Sequence, residues 1–163
     1  MSFINACKLG NFECAYYIYA SHNINDRKLQ DGLQFACEGG YFDIVQWIIN
    51  LGVDIDTVKN KCFQQSCKNG HLKVAKLLMK QGVDITHLNH MAFRKSCEYG
   101  HLRVAQWLHW LGSNVNDVSD WAFRMSCQNG HLEIAKWLHS LAESAVNIHA
   151  ESMLLKKVVK MVI

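Results

Sequence analysis

The amino-acid sequence predicts an all-α solenoid of about five stacked helix–turn–helix repeats, each 30 residues long. Three observations support this fold class. A cysteine, a glycine and an apolar residue recur at that interval, the apolar residues within one interval show helical spacing, and a second glycine follows the first by twelve residues. A fixed period of about 20 to 50 residues is typical of a repeat array, in which neighbouring units bury each other's apolar faces. We therefore expect one repeat domain over residues 1–163.

The recurring residues keep their interval without insertion from Phe3 to about Leu141. The recurring cysteines are Cys7, Cys37, Cys67, Cys97 and Cys127. The glycines that follow them by three positions are Gly10, Gly40, Gly70, Gly100 and Gly130. The apolar residues that precede them by four positions are Phe3, Leu33, Phe63, Phe93 and Phe123. The predicted repeats cover about residues 1–29, 30–59, 60–89, 90–119 and 120–150.

The fourth repeat illustrates the two helices predicted in each unit. A first helix over residues 90–99 places Phe93 and Cys97 at helical spacing, and Gly100 ends it. A second helix over residues 101–111 has Leu102, Ala105, Leu108 and Leu111 on one face. Gly112 follows, where a left-handed helix cap favours a residue without Cβ. Residues 113–119 are predicted to be a polar connection.

The two ends of the chain fit the same scheme. The first predicted helix begins at once, with Ser2 as a candidate N-cap. Residues 151–163 place leucines and valines on one helical face and lysines on the other, which predicts a C-terminal capping half-repeat. A basic amphipathic helix of this kind can also lie on a membrane surface, which is the alternative for this segment.

Composition restricts the class of protein. Half of the residues are apolar, 19% are charged and the formal net charge is +3, so a disordered polyampholyte is excluded. The longest apolar stretches, such as residues 44–51, are far shorter than the ~18 residues needed to span a bilayer. The N-terminal residues do not form a secretory leader, so we expect the protein in a reducing compartment inside a cell.

The motif Cys-Gln-Asn-Gly-His-Leu-Glu-Ile-Ala-Lys-Trp-Leu at residues 127–138 resembles the second half of an ankyrin repeat. Residues 97–108 and 67–78 match that pattern equally well. The resemblance covers about residues 1–150 and implies a right-handed solenoid whose first helices line a concave groove that binds other proteins. The Cys- and Trp-rich variant resembles ankyrin arrays of giant DNA viruses of amoebae, which implies the cytoplasm of an infected host cell as its location.

The repeats depart from the ankyrin pattern in their length and in one motif. Ankyrin repeats usually have about 33 residues, and the three that are missing here fall in the stretch that normally forms the β-turn finger. The usual Thr-Pro-Leu-His motif is replaced, for example by Ala-Phe-Arg-Lys at residues 92–95. We therefore predict that the β-fingers are shortened or absent.

The cysteines and histidines allow two interpretations. Cys67 and His71, like the equivalent pairs in the next two repeats, have a spacing compatible with zinc binding. Adjacent repeats should lie about 8–10 Å apart, too far for equivalent residues to share one metal ion or to form a disulfide. We therefore interpret the cysteines as small core residues and the histidines as turn residues, with no metal and no cofactor.

No arrangement of residues predicts catalysis. The sequence has no nucleophile with a partnered base and no glycine-rich phosphate loop. Residues that recur in every repeat serve stacking, whereas a catalytic site requires singular residues. We therefore expect a protein that is not an enzyme and has no small-molecule substrate.

Charge is distributed unevenly along the chain. Residues 59–80 contain six lysines and no acidic residue, whereas residues 26–56 are net acidic. The basic block gives nucleic-acid binding as a minor alternative, although its lysines also suit the solvent face of a helix.

Partner binding should use positions that vary from repeat to repeat at the same offset. Such positions cluster on the first helices, and the candidate binding residues are Lys61, Gln65, His90, Met91, Lys95, Asp120, Trp121 and Met125. Met91, Trp121 and Met125 suggest an apolar binding patch. The alternative is that Met91 and Trp121 pack between adjacent first helices.

The sequence therefore predicts a non-catalytic, monomeric scaffold that binds another protein through its concave first-helix face. The alternative is a structural protein that self-assembles without a dedicated partner groove.

Overall fold

The computed structural model describes residues 1–112 and 115–143, with side chains for all of these except 86, 87 and 115–120. The predicted capping helix over residues 151–163 and the side chain of Asp120 lie outside the described part.

The described residues form helices and no strands, as the sequence predicted. The helices are α1 (Phe3–Lys8), α2 (Phe12–Ser21), α3 (Asp26–Gly39), α4 (Phe42–Asn50), α5 (Lys59–Lys68), α6 (Leu72–Lys80), α7 (Ile85–Glu98), α8 (Leu102–Trp110), α9 (Val115–Gln128) and α10 (132–143). The short connections after α4 and α6 contain no β-finger. This confirms the prediction, made from the three residues missing in each repeat, that the β-fingers are shortened or absent.

The helices stack in two rows. The odd-numbered helices, which we call the first helices, contact one another in chain order from α1 to α9. Each of α1, α3, α5 and α7 also packs against the even-numbered helix that follows it. Most of the recurring apolar residues and cysteines lie between the rows, and Leu33, Phe63 and Phe93 are fully buried. One continuous core therefore runs along the array, as expected for units that cannot bury their own faces.

An aromatic pair joins most adjacent repeats. The phenylalanine of one first helix packs against a tryptophan in the second helix of the next repeat. The ring centroids are 6.3 Å apart for Phe3 and Trp47, 6.2 Å for Phe63 and Trp107, and 6.2 Å for Phe93 and Trp137. The centroid distance and the angle between the ring planes are nearly the same in the three pairs, so successive repeats are related by nearly the same displacement.

A second link between repeats uses the Asn-Gly-His motif. The backbone oxygen of Glu38 lies in the last turn of α3, where helical carbonyls lack an intrahelical partner. Asn69 donates to it from Nδ2 over 2.8 Å, and His71 Nε2 lies 2.9 Å from the same oxygen. Asn129 and His131 repeat this arrangement on the Glu98 oxygen, at 2.9 and 3.0 Å. The motif thus caps the first helix of the preceding repeat.

The glycine of this motif forms a turn and also leaves space for the histidine ring of the next repeat. Gly70 has a φ of +82°, a left-handed conformation that side chains rarely adopt. A Cβ atom built on Gly70 would overlap the ring of His101. The recurring glycine and histidine are therefore required together, because each histidine packs against the turn glycine of the previous repeat.

Two of the predicted helix boundaries were wrong. The first helix of repeat four begins at Ile85 rather than residue 90, and that of repeat five begins at Val115. Residues 115–119 are therefore helical instead of forming a polar connection. In repeat four the added turn packs Ile85 and Leu88 against the core. Burial of these side chains explains why the helix extends into the space that a finger would occupy.

Two predicted caps are confirmed. Ser2 Oγ accepts a hydrogen bond from the Asn5 amide over 3.2 Å, so it is the N-cap of α1. Gly112 follows Leu111, the C-cap of α8, and has a φ of +96°. Within the described ranges, no helix is sufficiently long and apolar to cross a bilayer.

We expect Phe93→Ala to lower the free energy of unfolding by about 3–5 kcal/mol, because it opens a cavity at a fully buried position. Met91→Ala, on the same helix at a side chain that is 50% exposed, should change it by less than about 0.5 kcal/mol. Urea unfolding followed by circular dichroism measures both. Equal losses in the two variants would contradict the packing described above.

The stacked histidines should make stability depend on pH. Burial lowers the pKa of His101, a hydrogen bond with the Lys68 backbone opposes this, and the rings of His71 and His131 lower it slightly further. Below the ordinary pKa of about 6.5, the unfolded chain therefore takes up a proton more readily than the native chain, and stability falls as the pH falls.

We expect the wild type to lose more stability than His101→Gln when the pH is lowered from about 8 to about 5.5. Urea unfolding at each pH measures the difference. Parallel pH dependences in the two proteins would show that His101 does not contribute.

Candidate functional site

The variable residues lie on one side of the array. We call this surface the first-helix face and define it as the exposed and half-buried side chains of residues 31–38, 61–68, 91–98 and 121–128. The core residues of the same helices point away from it, because the recurring positions are spaced three and four residues apart. The face therefore contains the residues that change from repeat to repeat.

A cavity of about 320 Å³ opens on the first-helix face between α3 and α5. We call it the α3–α5 cavity; it is lined by Asp31, Gln34, Phe35, Glu38, Lys61, Cys62 and Gln65. Two of the candidate binding residues, Lys61 and Gln65, thus lie together, with Lys61 exposed and Gln65 half-buried. Cys62 is buried and belongs to the base of the cavity.

Met91 and Trp121 differ in their surroundings. Met91 is 50% exposed and does not pack between first helices. Trp121 is half-buried, and the guanidinium carbon of Arg94 on the neighbouring helix lies 4.1 Å from its ring centroid. Met125 is half-buried. Within the apolar patch, Met91 is therefore exposed to solvent, whereas the ring of Trp121 is covered by the guanidinium group of Arg94.

Lys95 is held in place by its neighbours. Its Nζ forms an ion pair with Glu98 over 2.8 Å and lies 5.9 Å from the ring centroid of Tyr99. Lys68 Nζ lies 5.0 Å from the same ring. His90 is half-buried. Tyr99, which is 44% exposed, therefore has two ammonium groups beside it at the edge of the face.

The candidate residues did not include all side chains of the face. Gln34 and Glu38 line the cavity, and Arg94 covers Trp121. Their positions also vary between repeats, so comparison of every offset on the first helix would have included them. Tyr99 carried a separate signal, since it replaces the asparagine of the Asn-Gly-His motif.

Most of the recurring cysteines lie in the core. Four of the five recurring cysteines are buried, and burial raises the pKa of the Cys7 and Cys97 thiols to about 12. Cys127 is exposed, so its predicted role as a small core residue was wrong. It lies near the end of α9, where no following first helix is among the described residues.

The described histidine and cysteine side chains are not arranged as a metal site. Among the side chains that the structure describes, no three His, Cys, Asp or Glu residues are grouped so that they could hold a metal ion. The Nε2 atoms of His71 and His131 instead face the backbone oxygens of Glu38 and Glu98. All seven cysteines are described, and none forms a disulfide.

The basic block over residues 59–80 is not one surface. Lys61 and Lys68 belong to the first-helix face, whereas Lys73 and Lys76 are exposed on α6. Lys59 forms an ion pair with Asp56 over 2.6 Å. The lysines are therefore divided between two sides of the array, which does not favour nucleic-acid binding by this block.

The N-terminal end of the array has a second cavity, of about 440 Å³. Its apolar lining includes Phe3, Ile4, Ile18 and Ile24. Tyr17 occupies the position that Trp47 holds in the next repeat, and it is 71% exposed.

Models of known families match most of the chain. A model described as ankyrin repeats (3 copies) matches residues 3–89, and a model described as ankyrin repeats (many copies) matches residues 90–139. The chain belongs to the ankyrin repeat family. Ankyrin repeats generally mediate protein–protein interactions and are generally not enzymes.

Solved structures agree with this assignment. The crystal structure of the human ASB11 ankyrin repeat domain is similar to this ankyrin chain with a TM-score of 0.68 and 17% sequence identity. The similarity covers 86% of this chain and 69% of that domain. At this identity it supports the fold alone. A search of curated protein sequences gave no significant match.

Proposed function

We propose that this ankyrin protein is a non-catalytic scaffold that binds another protein through its first-helix face. The observation that supports the proposal is the separation of the two kinds of residue. Most of the recurring apolar side chains of the first helices are buried in the stack, whereas the first-helix face combines the exposed Met91 and Lys61 with a cavity of about 320 Å³. A rigid array with variable side chains on one face suits recognition of a protein surface.

The proposed binding residues are Lys61, Gln65, His90, Met91, Lys95, Asp120, Trp121 and Met125, to which we add Gln34, Glu38 and Tyr99. Lys61 and Met91 are the most informative of them, because both are exposed and neither is held by another side chain through a described ion pair. An aliphatic side chain beside polar groups can anchor a partner once water is excluded.

We expect the double variant Lys61→Ala, Met91→Ala to recover partner proteins at least about fivefold less well than the wild type, because loss of two central contacts costs more than about 1 kcal/mol. Affinity purification from cells that express the full chain, followed by quantitative mass spectrometry, measures the recovery.

The matched control is Lys73→Ala, Leu132→Ala, which removes one exposed lysine and one exposed aliphatic side chain from the second helices. Its recovery of partners should equal that of the wild type. If the control loses partners and the first-helix variant retains them, the binding face has been assigned to the wrong side.

One observation favours a second candidate function, self-association through the N-terminal end. Tyr17 is 71% exposed, whereas Trp47, its equivalent in the next repeat, packs against Phe3 of the preceding repeat. Exposed apolar surface of this kind marks contact sites.

Light scattering over a range of concentrations separates the two candidates. The scaffold proposal expects a monomer mass at every concentration. Self-association instead gives a mass that rises with concentration in the wild type and in Trp110→Ser, whose side chain is 80% exposed on α8, but not in Tyr17→Ser.

We further propose that the protein acts in a reducing compartment of a cell. Its seven cysteines are all free thiols, and five of them are buried in the core. Their stable reduced state suits a cytoplasmic location, and the likeness of the repeats to giant-virus arrays supports an infected host cell as the setting.

A further inference from the structure

Cys62 departs from the repeat pattern at a buried position of α5. At its offset, repeats two, four and five have a small residue without a thiol, namely Gly32, Ala92 and Ala122. Cys62 is 1% exposed. Cys37 is the only recurring cysteine that is followed by a second cysteine at this offset in the next repeat. Recurring core residues serve the stack, so a reactive group that occurs once in the core is a candidate for a role of its own.

The stack places the thiol of Cys62 against that of Cys37. One repeat earlier, a Cβ atom built on Gly32 would lie 3.0 Å from Sγ of Cys7. Successive repeats are related by nearly the same displacement, so the same geometry applies to Cys62 and Cys37. In agreement with this, the side chains of Cys62 and Cys37 are hydrogen-bonded to each other. Two thiols from adjacent repeats are therefore in contact inside the core.

Ser66 joins the two backbone segments that carry these thiols. It lies on α5, one turn after Cys62, and it is fully buried. Its Oγ lies 2.8 Å from the backbone oxygen of Cys62 and 3.3 Å from that of Cys37. A disulfide requires its sulfur atoms to approach to about 2.0 Å. Because the helices are already held together beside the thiols, rotation of the two side chains can bring the sulfur atoms to this distance.

The α3–α5 cavity gives a small solute access to one of the two thiols. Cys62 belongs to its lining, whereas Cys37 does not. The volume of about 320 Å³ far exceeds the ~30 Å³ that one water molecule occupies in the liquid, so hydrogen peroxide can enter. The hydrogen bond with Cys62 and burial raise the pKa of Cys37 well above its ordinary value. Cys37 therefore stays protonated, and oxidation begins at Cys62.

We propose that Cys37 and Cys62 are a redox-sensitive pair, which hydrogen peroxide converts into a disulfide between repeats two and three. The sulfur of Cys62 first attacks one peroxide oxygen, which gives a sulfenic acid and one water molecule. The sulfur of Cys37 then attacks the Cys62 sulfur, the S–S bond forms, and the hydroxyl group leaves with the Cys37 proton as a second water molecule. The peroxide thus gains the two electrons that the thiols lose.

This inference does not depend on partner binding and goes beyond the proposed function. In a reducing compartment both thiols stay reduced until peroxide reaches the cavity. The disulfide then links α3 to α5 covalently at the base of the first-helix face. It also closes a loop over residues 37–62, which restricts the unfolded chain and should stabilise the native array.

The test treats the reduced full chain with hydrogen peroxide in the absence of denaturant. The remaining thiols are then blocked with N-ethylmaleimide, and the chain is digested with trypsin without reductant. We expect peptide 29–59, which contains Cys37, to be joined to peptide 62–68, which contains Cys62. Mass spectrometry should find the joined peptides lighter by two hydrogen atoms than their sum, and dithiothreitol should separate them.

Two variants identify the thiol on the second peptide, because peptide 62–68 also contains Cys67. Cys62→Ala introduces the residue that repeats four and five have at this offset, so it should fold and lose the linkage. The matched control Cys67→Ala removes the other buried thiol of the same peptide and should keep the linkage. Circular dichroism verifies that both variants are folded.

Urea unfolding gives a second readout. Oxidation should raise the urea midpoint of the wild type, and dithiothreitol should reverse the increase. In Cys62→Ala the same treatment should leave the midpoint unchanged.

Four results would each overturn the inference. The first is the absence of the joined peptides, and the second is their formation only when urea is present. The third is a linkage that persists in Cys62→Ala or disappears in a folded Cys67→Ala. The fourth is a linkage that fails to raise the urea midpoint, because a native pair should accept the disulfide without strain.

Discussion

The distance between adjacent repeats is the constraint on which the rest of this structure depends. It is set on one side of the stack by the Phe–Trp pairs, whose centroids lie 6.2 to 6.3 Å apart. At the helix ends it is set by asparagine and histidine side chains that bind the last-turn carbonyl of the preceding repeat, as Asn69 and His71 bind Glu38. A change in this distance would leave a buried cavity or an unpaired carbonyl, both of which are destabilising.

This constraint separates the residues that stabilise the stack from those that can vary. A core position contacts neighbours on two sides, so it accepts only a small range of volumes, and the cysteines at 0% exposure, such as Cys67, show this restriction. The side chains of the first-helix face are exposed or half-buried. They can therefore change from Phe35 to Gln65 to Lys95 along the array without a cost in packing, and recognition chemistry can accumulate there.

The sequence predicted the helices better than their ends. Periodic apolar residues identified both helices of each repeat, and the missing residues predicted the absence of strands, because a finger needs chain length that the repeats lack. The early starts of α7 and α9 were not predicted, since the choice between a polar loop and another helical turn depends on whether a surface such as that beneath Leu88 is available for burial. Cys127 has the motif of a core residue but is exposed, because burial requires a neighbour as well as a pattern.

For the candidate site, the sequence alone determined which residues of the first helices vary from repeat to repeat, because periodicity separates them from the recurring positions. Only the tertiary structure decided how those residues combine. It brought Asp31 and Glu38 opposite Lys61 around one cavity, covered Trp121 with Arg94 and left Met91 exposed. Such combinations join residues about 30 positions apart, and their distances follow from the packing of adjacent repeats, which no local pattern of residues specifies.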